Sequence, residues 1–257
     1  MRYKTELGQN NTKLQAILDT VNALPEAGIL PEGTIEITEN GIYDVANYAS
    51  AEVNVASDGE DYSKYSYISR FYNLNLFDKK EITINADYLE SVSMMFMQNA
   101  EKNTTVEHII VNTSSYIIKC SDMFYALKQD STLKRITLNL DFSNCTSFTS
   151  MFRGLTALEI IDGNPLDISE STNNGLAFNM NYALKEVRFV PLCINKNISF
   201  DHSSQLSDVS IQSIIDGLAD LTGQTAQTLS VHKDVKANIK ANEEWLTAIT
   251  SKNWTLA

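Results

Sequence analysis

The fold of this chain is decided by a unit that is clearest at Ser150-Met151-Phe152-Arg153-Gly154-Leu155-Thr156-Ala157-Leu158-Glu159-Ile160-Ile161-Asp162-Gly163. The unit has two parts, a Met-Phe pair and, a few residues later, an anchor of the form apolar-x-x-apolar-x-apolar. The pair occurs three times, followed by a weaker fourth copy: Met95-Phe96, Met123-Phe124, Met151-Phe152 and Ala177-Phe178. The recurrence of both parts together indicates an internal repeat.

The anchors set the period of this repeat. They are Val106/Ile109/Val111, Leu133/Ile136/Leu138, Leu158/Ile161/Gly163 and Leu184/Val187/Phe189, preceded by an incomplete copy at Ile82/Ile84. Their central residues are 27, 27, 25 and 26 residues apart, a period typical of stacked supersecondary units. The alternation inside each anchor predicts a strand, with Ile109 and Val111 pointing one way and His108 and Ile110 the other.

These patterns predict an α/β fold, a leucine-rich-repeat solenoid with one short parallel strand per repeat. The Met-Phe pairs are expected to fill the core behind the strands, since Met fills gaps and Phe buries a large apolar surface. We expect three parts: residues 1–57 as an N-terminal helix and small β module for attachment or oligomerisation, 58–205 as the solenoid, and 206–257 as α/β capping repeats.

The run Asn144 to Leu158 resembles the repeat unit of the bacterial BspA-like leucine-rich-repeat proteins, whose units carry a Met-Phe signature. The resemblance covers roughly residues 80 to 195. The first two units differ from that pattern by insertions at Gln98 to Thr105 and at Lys128 to Thr132. This resemblance implies a repeat solenoid that serves in contacts with other molecules.

Two further stretches resemble segments of tail and baseplate proteins from phages and prophages of Gram-positive bacteria. The first comprises Gly33 to Val45 followed by Tyr48 to Val55, and the second is Ile211 to Val231. These resemblances imply a virion component without identifying which one.

Composition excludes some functional classes. The chain of 257 residues carries 20 Lys and Arg against 32 Asp and Glu, a net charge of −12. Such a surface repels phosphate backbones, so we expect no nucleic-acid partner. No apolar run approaches the ~18 residues of a membrane span, and no export signal is visible after Met1, so we expect synthesis in a bacterial cytoplasm and release by lysis. The isolated Cys120, Cys145 and Cys193 are expected to be reduced core residues.

The N-terminal region carries a helix and a β module. Residues 10–24 predict an amphipathic helix ending at Pro25, and its apolar seam consists of Leu14, Ile17, Leu18, Val21 and Leu24. This seam either docks on the chain's own body or joins subunits. Thr34 to Thr38 and Ile42 to Val45 predict a hairpin turning at Asn40-Gly41, with a third strand in 47–56. The Tyr-rich stretch 58–72 is interpreted either as a cap of the first coil or as a binding surface.

At the C-terminal end, Ile211, Ile214, Ile215 and Leu218 predict a helix with Ser207 as N-cap and Gly223 as its stop. Thr228 to Val231 predicts a strand. A second amphipathic helix, interrupted by Asn242, is predicted from Val235 to Ile249, and a last strand from Trp254 to Leu256. Trp245 and Trp254 are expected to be core or cap residues.

Catalytic motifs are missing from the sequence. His108, His202 and His232 have no carboxylate or Cys at motif spacing. Asp162, Asp167 and Glu170 are compatible with a glycosidase pair or a calcium site, but carboxylates in a turn of an acidic protein are usually solvated. We therefore expect no enzymatic activity, no cofactor and no metal.

The face of the predicted sheet is the candidate binding surface. Its outward column comprises Thr83, Ile110, Thr137, Asp162 and Arg188. A second column, one step after the first four strand ends, comprises Asn85, Asn112, Asn139 and Asn164. Either the Asn amides bond the backbone where each coil turns, or the column forms a polar groove for a ligand.

Together these features favour a non-enzymatic, tail-associated structural or receptor-binding protein located in the virion. Its N-terminus would bind virion subunits or itself, giving a homo-oligomer, and its repeats would contact a host-surface glycan or protein. One alternative is a BspA-like adhesin of the bacterial cell surface. A second alternative is a carbohydrate-active enzyme.

Overall fold

The structure is a computed structural model that describes residues 34–37, 41–44, 69–72, 80–86, 91–96, 106–125 and 132–257. The chain divides into two compact units, Met1–Thr34 and Ile35–Ala257. The predicted N-terminal helix with its seam and the predicted strand within 47–56 lie outside the described residues, as does most of the Tyr-rich stretch.

The larger sheet has five strands: β1 (Thr34–Ile37), β4 (Glu81–Ala86), β5 (His108–Tyr116), β6 (Arg135–Asp141) and β7 (Ile160–Gly163). Their order across the sheet is β1-β4-β5-β6-β7. Strands β4 to β7 pair in parallel, with the central anchors Ile82, Ile109, Ile136 and Ile161 side by side in register. Parallel pairing requires a long crossover between strands, which the predicted period supplies.

The second sheet and all three described helices lie in the C-terminal part. This sheet has the order β10-β9-β8, all parallel, from β8 (Ile198–Phe200), β9 (Gln227–Val231) and β10 (Trp254–Leu256). The helices, numbered here in chain order, are α1 (Asp208–Gly217), α2 (Lys233–Ala241) and α3 (Glu243–Ser251). The described chain is therefore a mixed α/β protein with parallel sheets, as the sequence predicted at that level.

The predicted hairpin around Asn40-Gly41 is wrong. Strand β1 belongs to the larger sheet, whereas β2 (Gly41–Asp44) pairs in parallel with β3 (Ser69–Tyr72) in a separate two-stranded sheet. Asn40-Gly41 favours a tight hairpin turn, but pairing with strands farther along the chain overrides this local preference. Strand β1 lies beside β4, and β2 pairs with β3.

The C-terminal predictions are confirmed with two corrections. Ser207 caps α1 by accepting a hydrogen bond from the backbone of Ser210, but α1 ends at Gly217 instead of Gly223. The predicted second helix is two helices. Asn242 ends the first and caps the second, since its side chain accepts from the backbone N–H of Trp245 at 3.2 Å. Both tryptophans are buried, as expected.

The core lies behind the strands, where the Met-Phe pairs were predicted. Every member of the four pairs is at most 2% exposed, and so are the inward anchor residues of β4 to β7 except Gly163, which is exposed. The phenylalanines stack face to face along the core, with ring centroids 4.6–5.8 Å apart: Phe96, Phe124, Phe152, Phe178 and Phe200. Offset stacks at this separation are favourable beyond simple apolar burial.

The cysteines differ from the prediction. Cys120 and Cys145 form a disulfide, with Cα atoms 6.6 Å apart, so the expectation that all three are reduced is wrong for this pair. Cys193 is free and buried as expected, and burial raises the pKa of its thiol to about 11. Cysteines 25 residues apart look isolated in the sequence, but a separation of about one period brings them into neighbouring positions.

No helix in the described part of the chain is long and apolar enough to cross a membrane.

Candidate binding face

The outward column predicted from the sequence forms on the larger sheet. Thr83, Ile110, Thr137 and Asp162 lie side by side in register on β4 to β7. Beyond β7, isolated parallel bridges join Ile160 to Glu186 and Leu166 to Phe189, and Arg188 lies between the two bridged residues next to the end of β7. The structure thus brings the four strand residues together and places Arg188 at the end of the row.

A chain of side-chain hydrogen bonds crosses this face. The Glu81 carboxylate lies 2.8 Å from Nδ1 of His108, whose Nε2 lies 2.8 Å from Oγ1 of Thr137. The Thr137 hydroxyl donates to Oδ1 of Asp162 at 2.5 Å, and Nε of Arg135 donates to Oδ2 of Asp162 at 3.0 Å. Four strands are therefore cross-linked by one polar network outside the backbone ladder.

Asp162 is the charged centre of this network. Partial burial alone would raise the pKa of its carboxyl, but hydrogen bonds from Arg135 and Thr137 and the nearby positive charge outweigh it and lower the pKa below 3.8. Conversely, the hydrogen bond and charge of Asp162 raise the pKa of Arg135. Asp162 and Arg135 therefore both stay ionised across the ordinary pH range.

The order carboxylate, imidazole, hydroxyl in Glu81, His108 and Thr137 is also the order of a hydrolase triad. A hydroxyl has a single hydrogen, and Thr137 directs its own to Asp162. In this arrangement the hydroxyl hydrogen of Thr137 points away from His108, which is not the orientation of a nucleophile toward its base. The network cross-links the sheet surface.

The asparagine column forms a ladder. Nδ2 of Asn112 donates to Oδ1 of Asn85 at 2.8 Å, and Nδ2 of Asn139 donates to Oδ1 of Asn112 at 2.7 Å. The predicted alternative of amides bonding the backbone describes Asn164, whose Nδ2 donates to the carbonyl of Leu140 at 3.2 Å. Nδ2 of Asn112 and Nδ2 of Asn139 each donate to the neighbouring amide instead, because in-register parallel strands place equivalent amides within reach of each other.

A third column was missed in the sequence reasoning. It lies two residues before each central anchor and alternates in charge: Lys80, Glu107, Lys134, Glu159 and Lys185. Its end members form ion pairs, Lys80 with Glu107 at 2.6 Å and Lys185 with Glu159 at 2.7 Å. The hydrogen bond and charge of Lys80 lower the pKa of Glu107, and those of Lys185 lower the pKa of Glu159, with Lys134 contributing to both.

Helix α1 supports the far end of the face. The backbone N–H of Val187 donates to Oγ of Ser210 at 3.0 Å, and that of Phe189 donates to Oγ of Ser213 at 2.9 Å. The two helix serines thus accept hydrogen bonds from the backbone N–H groups of Val187 and Phe189, which face the side where a further strand would pair. Sequence reasoning missed them, since Ser within a predicted helix gives no signal for this role.

A cleft of about 150 Å³ opens between the end of β7 and the Glu186–Arg188 segment. We call it the end cleft. Gly163 lines it with φ of +92°, and a Cβ there would lie 2.5 Å from the carbonyl oxygen of Leu138. Only glycine fits this position, which explains the glycine in the last slot of the third complete anchor.

The remaining candidates are dispersed. Asp167 accepts a hydrogen bond from the backbone of Ser169, and Glu170 is exposed. His202 and His232 pair with the neighbouring Asp201 and Asp234, at 2.8 and 3.4 Å. Within the described residues, no three His, Cys, Asp or Glu side chains are grouped as metal ligands would be.

Comparison of this sequence and structure with protein-family models, curated proteins and solved structures gives no match.

Proposed function

We propose that this chain is a non-enzymatic binding protein built as a leucine-rich-repeat solenoid, with one short parallel strand per repeat. The observation that carries the proposal is the polar outer face of β4 to β7, whose columns recur at the spacing of the buried anchors. Stacked repeats with a shared core produce such extended regular surfaces.

Repetition of other local features supports the solenoid. The residue before each Met-Phe or Ala-Phe pair has a left-handed backbone, with φ between 53° and 61°: Met94, Asp122, Ser150 and Leu176. Backbone hydrogen bonds connect the same segments, as from Phe96 to Met123, Phe124 to Met151 and Phe152 to Ala177. Equivalent residues with equivalent conformations are what a stack of similar units requires.

Rigidity of the outer face supports a role in recognition. Its polar side chains are held by the Asn ladder and by the network around Asp162, so little side-chain entropy remains to be lost on binding. A surface that is already ordered before contact favours affinity and specificity.

In our proposal the protein is associated with the tail of a phage or prophage of Gram-positive bacteria and resides in the virion. The N-terminal residues bind virion subunits or a second copy of the chain, and the repeats contact a host-surface glycan or protein. The resemblance of residues 33–55 and 211–231 to tail and baseplate proteins supports this placement.

Two experiments test the proposal. Purified full-length chain should co-sediment with Gram-positive cells, and Asn139→Arg on the outer face should abolish this, whereas Asn144→Arg, outside the sheet, should not. Failure of the wild type to bind any host panel strain, or equal binding by both variants, would contradict it. Light scattering should show a multimer for the full chain and a monomer for a chain beginning at Asp58.

A further inference from the structure

Most of the outer face is occupied with its own hydrogen bonds. The Asn side chains of β4 to β6 are already hydrogen-bonded to one another in the ladder. The polar groups of the outward column are likewise hydrogen-bonded within the network from Glu81 to Arg135. Such groups contact a ligand only by giving up an existing bond, which weakens the net gain. The middle of the face is therefore less available than the sequence suggested.

The end cleft differs, because both columns stop there. Asn164 bonds the backbone and not Asn139, so within the described residues Oδ1 of Asn139 has no donor. The guanidinium of Arg188 makes no hydrogen bond or ion pair in the described part of the chain. The carboxylate of Glu186 makes no hydrogen bond there either, and its charge acts only through space on Arg135.

The charges of the end cleft cancel. Asp162 is neutralised by Arg135, and the remaining pair, Glu186 and Arg188, are of opposite sign and two residues apart. A volume of about 150 Å³ is several times the ~30 Å³ that one water occupies, so the cleft holds more than a single water. Neighbouring strong donors and acceptors without net charge suit hydroxyl groups, which both donate and accept.

A wider, more apolar groove of about 650 Å³ begins at Arg188, which lines both spaces. Its walls include Pro191 and Val209, and Val209 is 63% exposed. The indole N–H of Trp245, which also lines the groove, already donates to Oε1 of Gln212 at 2.6 Å. The groove therefore offers carbon surface next to the polar cleft, a combination that suits the mixed faces of a sugar ring.

We propose that the end cleft binds one residue of a neutral saccharide chain, with the next residue lying over Pro191 and Val209. Arg188 donates to the sugar hydroxyls and Glu186 accepts from them. This inference rests on the proposed function, because it specifies which ligand class the outer face binds and where on that face the ligand lies. An anionic polymer is disfavoured by the net charge of −12.

The test uses the full chain and a panel of neutral mono- and oligosaccharides, with polygalacturonate and a lysine-rich peptide as charged probes. Saturation-transfer NMR detects binding and calorimetry gives affinity. The variant Glu186→Ala/Arg188→Ala removes one charge of each sign and keeps the net charge. Its matched control is Glu170→Ala/Lys196→Ala, at two exposed positions outside the cleft. Glu186→Gln, which preserves the shape, is a second variant in case the double variant does not fold.

We expect at least one neutral sugar to bind the wild type and the control equally. The double variant should lose at least tenfold in affinity and Glu186→Gln several-fold. The inference is overturned if no neutral sugar binds, if the cleft variants bind as the wild type does, or if only a charged probe binds. If cells are still bound in those cases, the proposed function stands without it; if cells are not bound either, both fail.

Discussion

Nε of Arg135 on β6 donates to Oδ2 of Asp162 on β7 at 3.0 Å, although the two residues are 27 positions apart in the sequence. This bond and the hydrogen bond from Thr137 lower the pKa of Asp162 despite the opposing effect of partial burial. A carboxyl whose pKa is lower in the folded chain than in the unfolded chain stabilises the fold above the unfolded value, here 3.8. Its contribution is lost as the pH falls through the lower folded value.

We therefore expect Asp162→Asn to reduce the free energy of unfolding at pH 7 by about 1 kcal/mol, the upper end for partly exposed ion pairs. The difference from wild type should shrink steadily below pH 3.8, where the wild type also loses its charge. Urea unfolding at pH 7, 4 and 3 measures this. Glu170→Gln, at an exposed position, is the control and should show no such trend. A gap that is constant with pH would contradict the role given to Asp162.

The phenylalanine stack gives a second prediction. Phe152 lies between Phe124 and Phe178, at centroid distances of 5.8 and 5.4 Å. Each stacked pair contributes roughly 0.5–1.5 kcal/mol beyond burial, so Phe152→Leu should cost about 1 to 3 kcal/mol. Guanidinium unfolding of the single and double variants with Phe124→Leu gives the coupling between the rings. Strict additivity would show that the stack is only a by-product of packing.

The strands and the core could be predicted because they depend on periodicity alone. Ile136 must face inward if its neighbours alternate, and its partner in the next strand must be one period away. Phe152 follows the same rule within the row of Met-Phe pairs. No knowledge of side-chain geometry is needed for either residue, and both are buried as expected.

The partners of the polar side chains could not be predicted in the same way. Whether Asn112 donates to Asn85 or to the backbone depends on differences in atomic position that are much smaller than the ~4.8 Å between neighbouring strands. The pairing of His108 with Glu81 was missed because motif searches look for short separations, and these residues are 27 apart. The alternating Lys and Glu column was visible in the sequence, since it keeps a fixed offset from the central anchors.

Asn174 provides a test of a polar residue in the core. It is 3% exposed, and neither polar atom of its amide has a hydrogen-bond partner among the described residues. It stands 26 residues after the buried Phe148, as Phe178 stands 26 after Phe152. Since an unpaired buried amide costs about 1–3 kcal/mol, Asn174→Leu should raise the free energy of unfolding by about 1 kcal/mol.

The matched variant is Asn181→Leu. Asn181 is fully buried too, but its Nδ2 donates to the carbonyls of Phe152 at 2.8 Å and Leu155 at 3.3 Å. This substitution removes a donor from both carbonyls, of which only that of Leu155 keeps another, the backbone N–H of Leu158, so stability should fall by about 1–3 kcal/mol. Thermal and urea unfolding distinguish the two variants. Destabilisation by both would show that Asn174 is bonded in solution.

The left-handed residue before each Phe-containing pair gives a fourth prediction. Leu176 has φ of +61° and is 47% exposed, so its side chain gains little from burial while its backbone is strained. Leu176→Asn should stabilise the protein by about 0.5–1 kcal/mol, because Asn tolerates this conformation. Leu176→Val should destabilise it by about 1–2 kcal/mol, because a β-branched side chain does not. Midpoints of urea unfolding in any other order would contradict the assigned backbone conformation.

The disulfide gives the last prediction. Cys120 and Cys145 enclose a sequence separation of 25, so their bond limits the freedom of the unfolded chain. A loop of this size corresponds to about 3.5 kcal/mol in the chain-entropy account. Under native conditions, alkylation followed by mass spectrometry should label none of the three cysteines. After reduction and unfolding all three should be labelled.

Cys193 serves as the internal control, because it is buried and burial raises the pKa of its thiol to about 11. It should react at the same rate with or without reductant as long as the chain is folded. Cys120→Ser/Cys145→Ser should match the reduced wild type in stability, and reductant should not change it further. Labelling of Cys120 and Cys145 in the unfolded chain without reductant would show that the sulfurs are adjacent but unbonded, and that the core alone holds these two segments together.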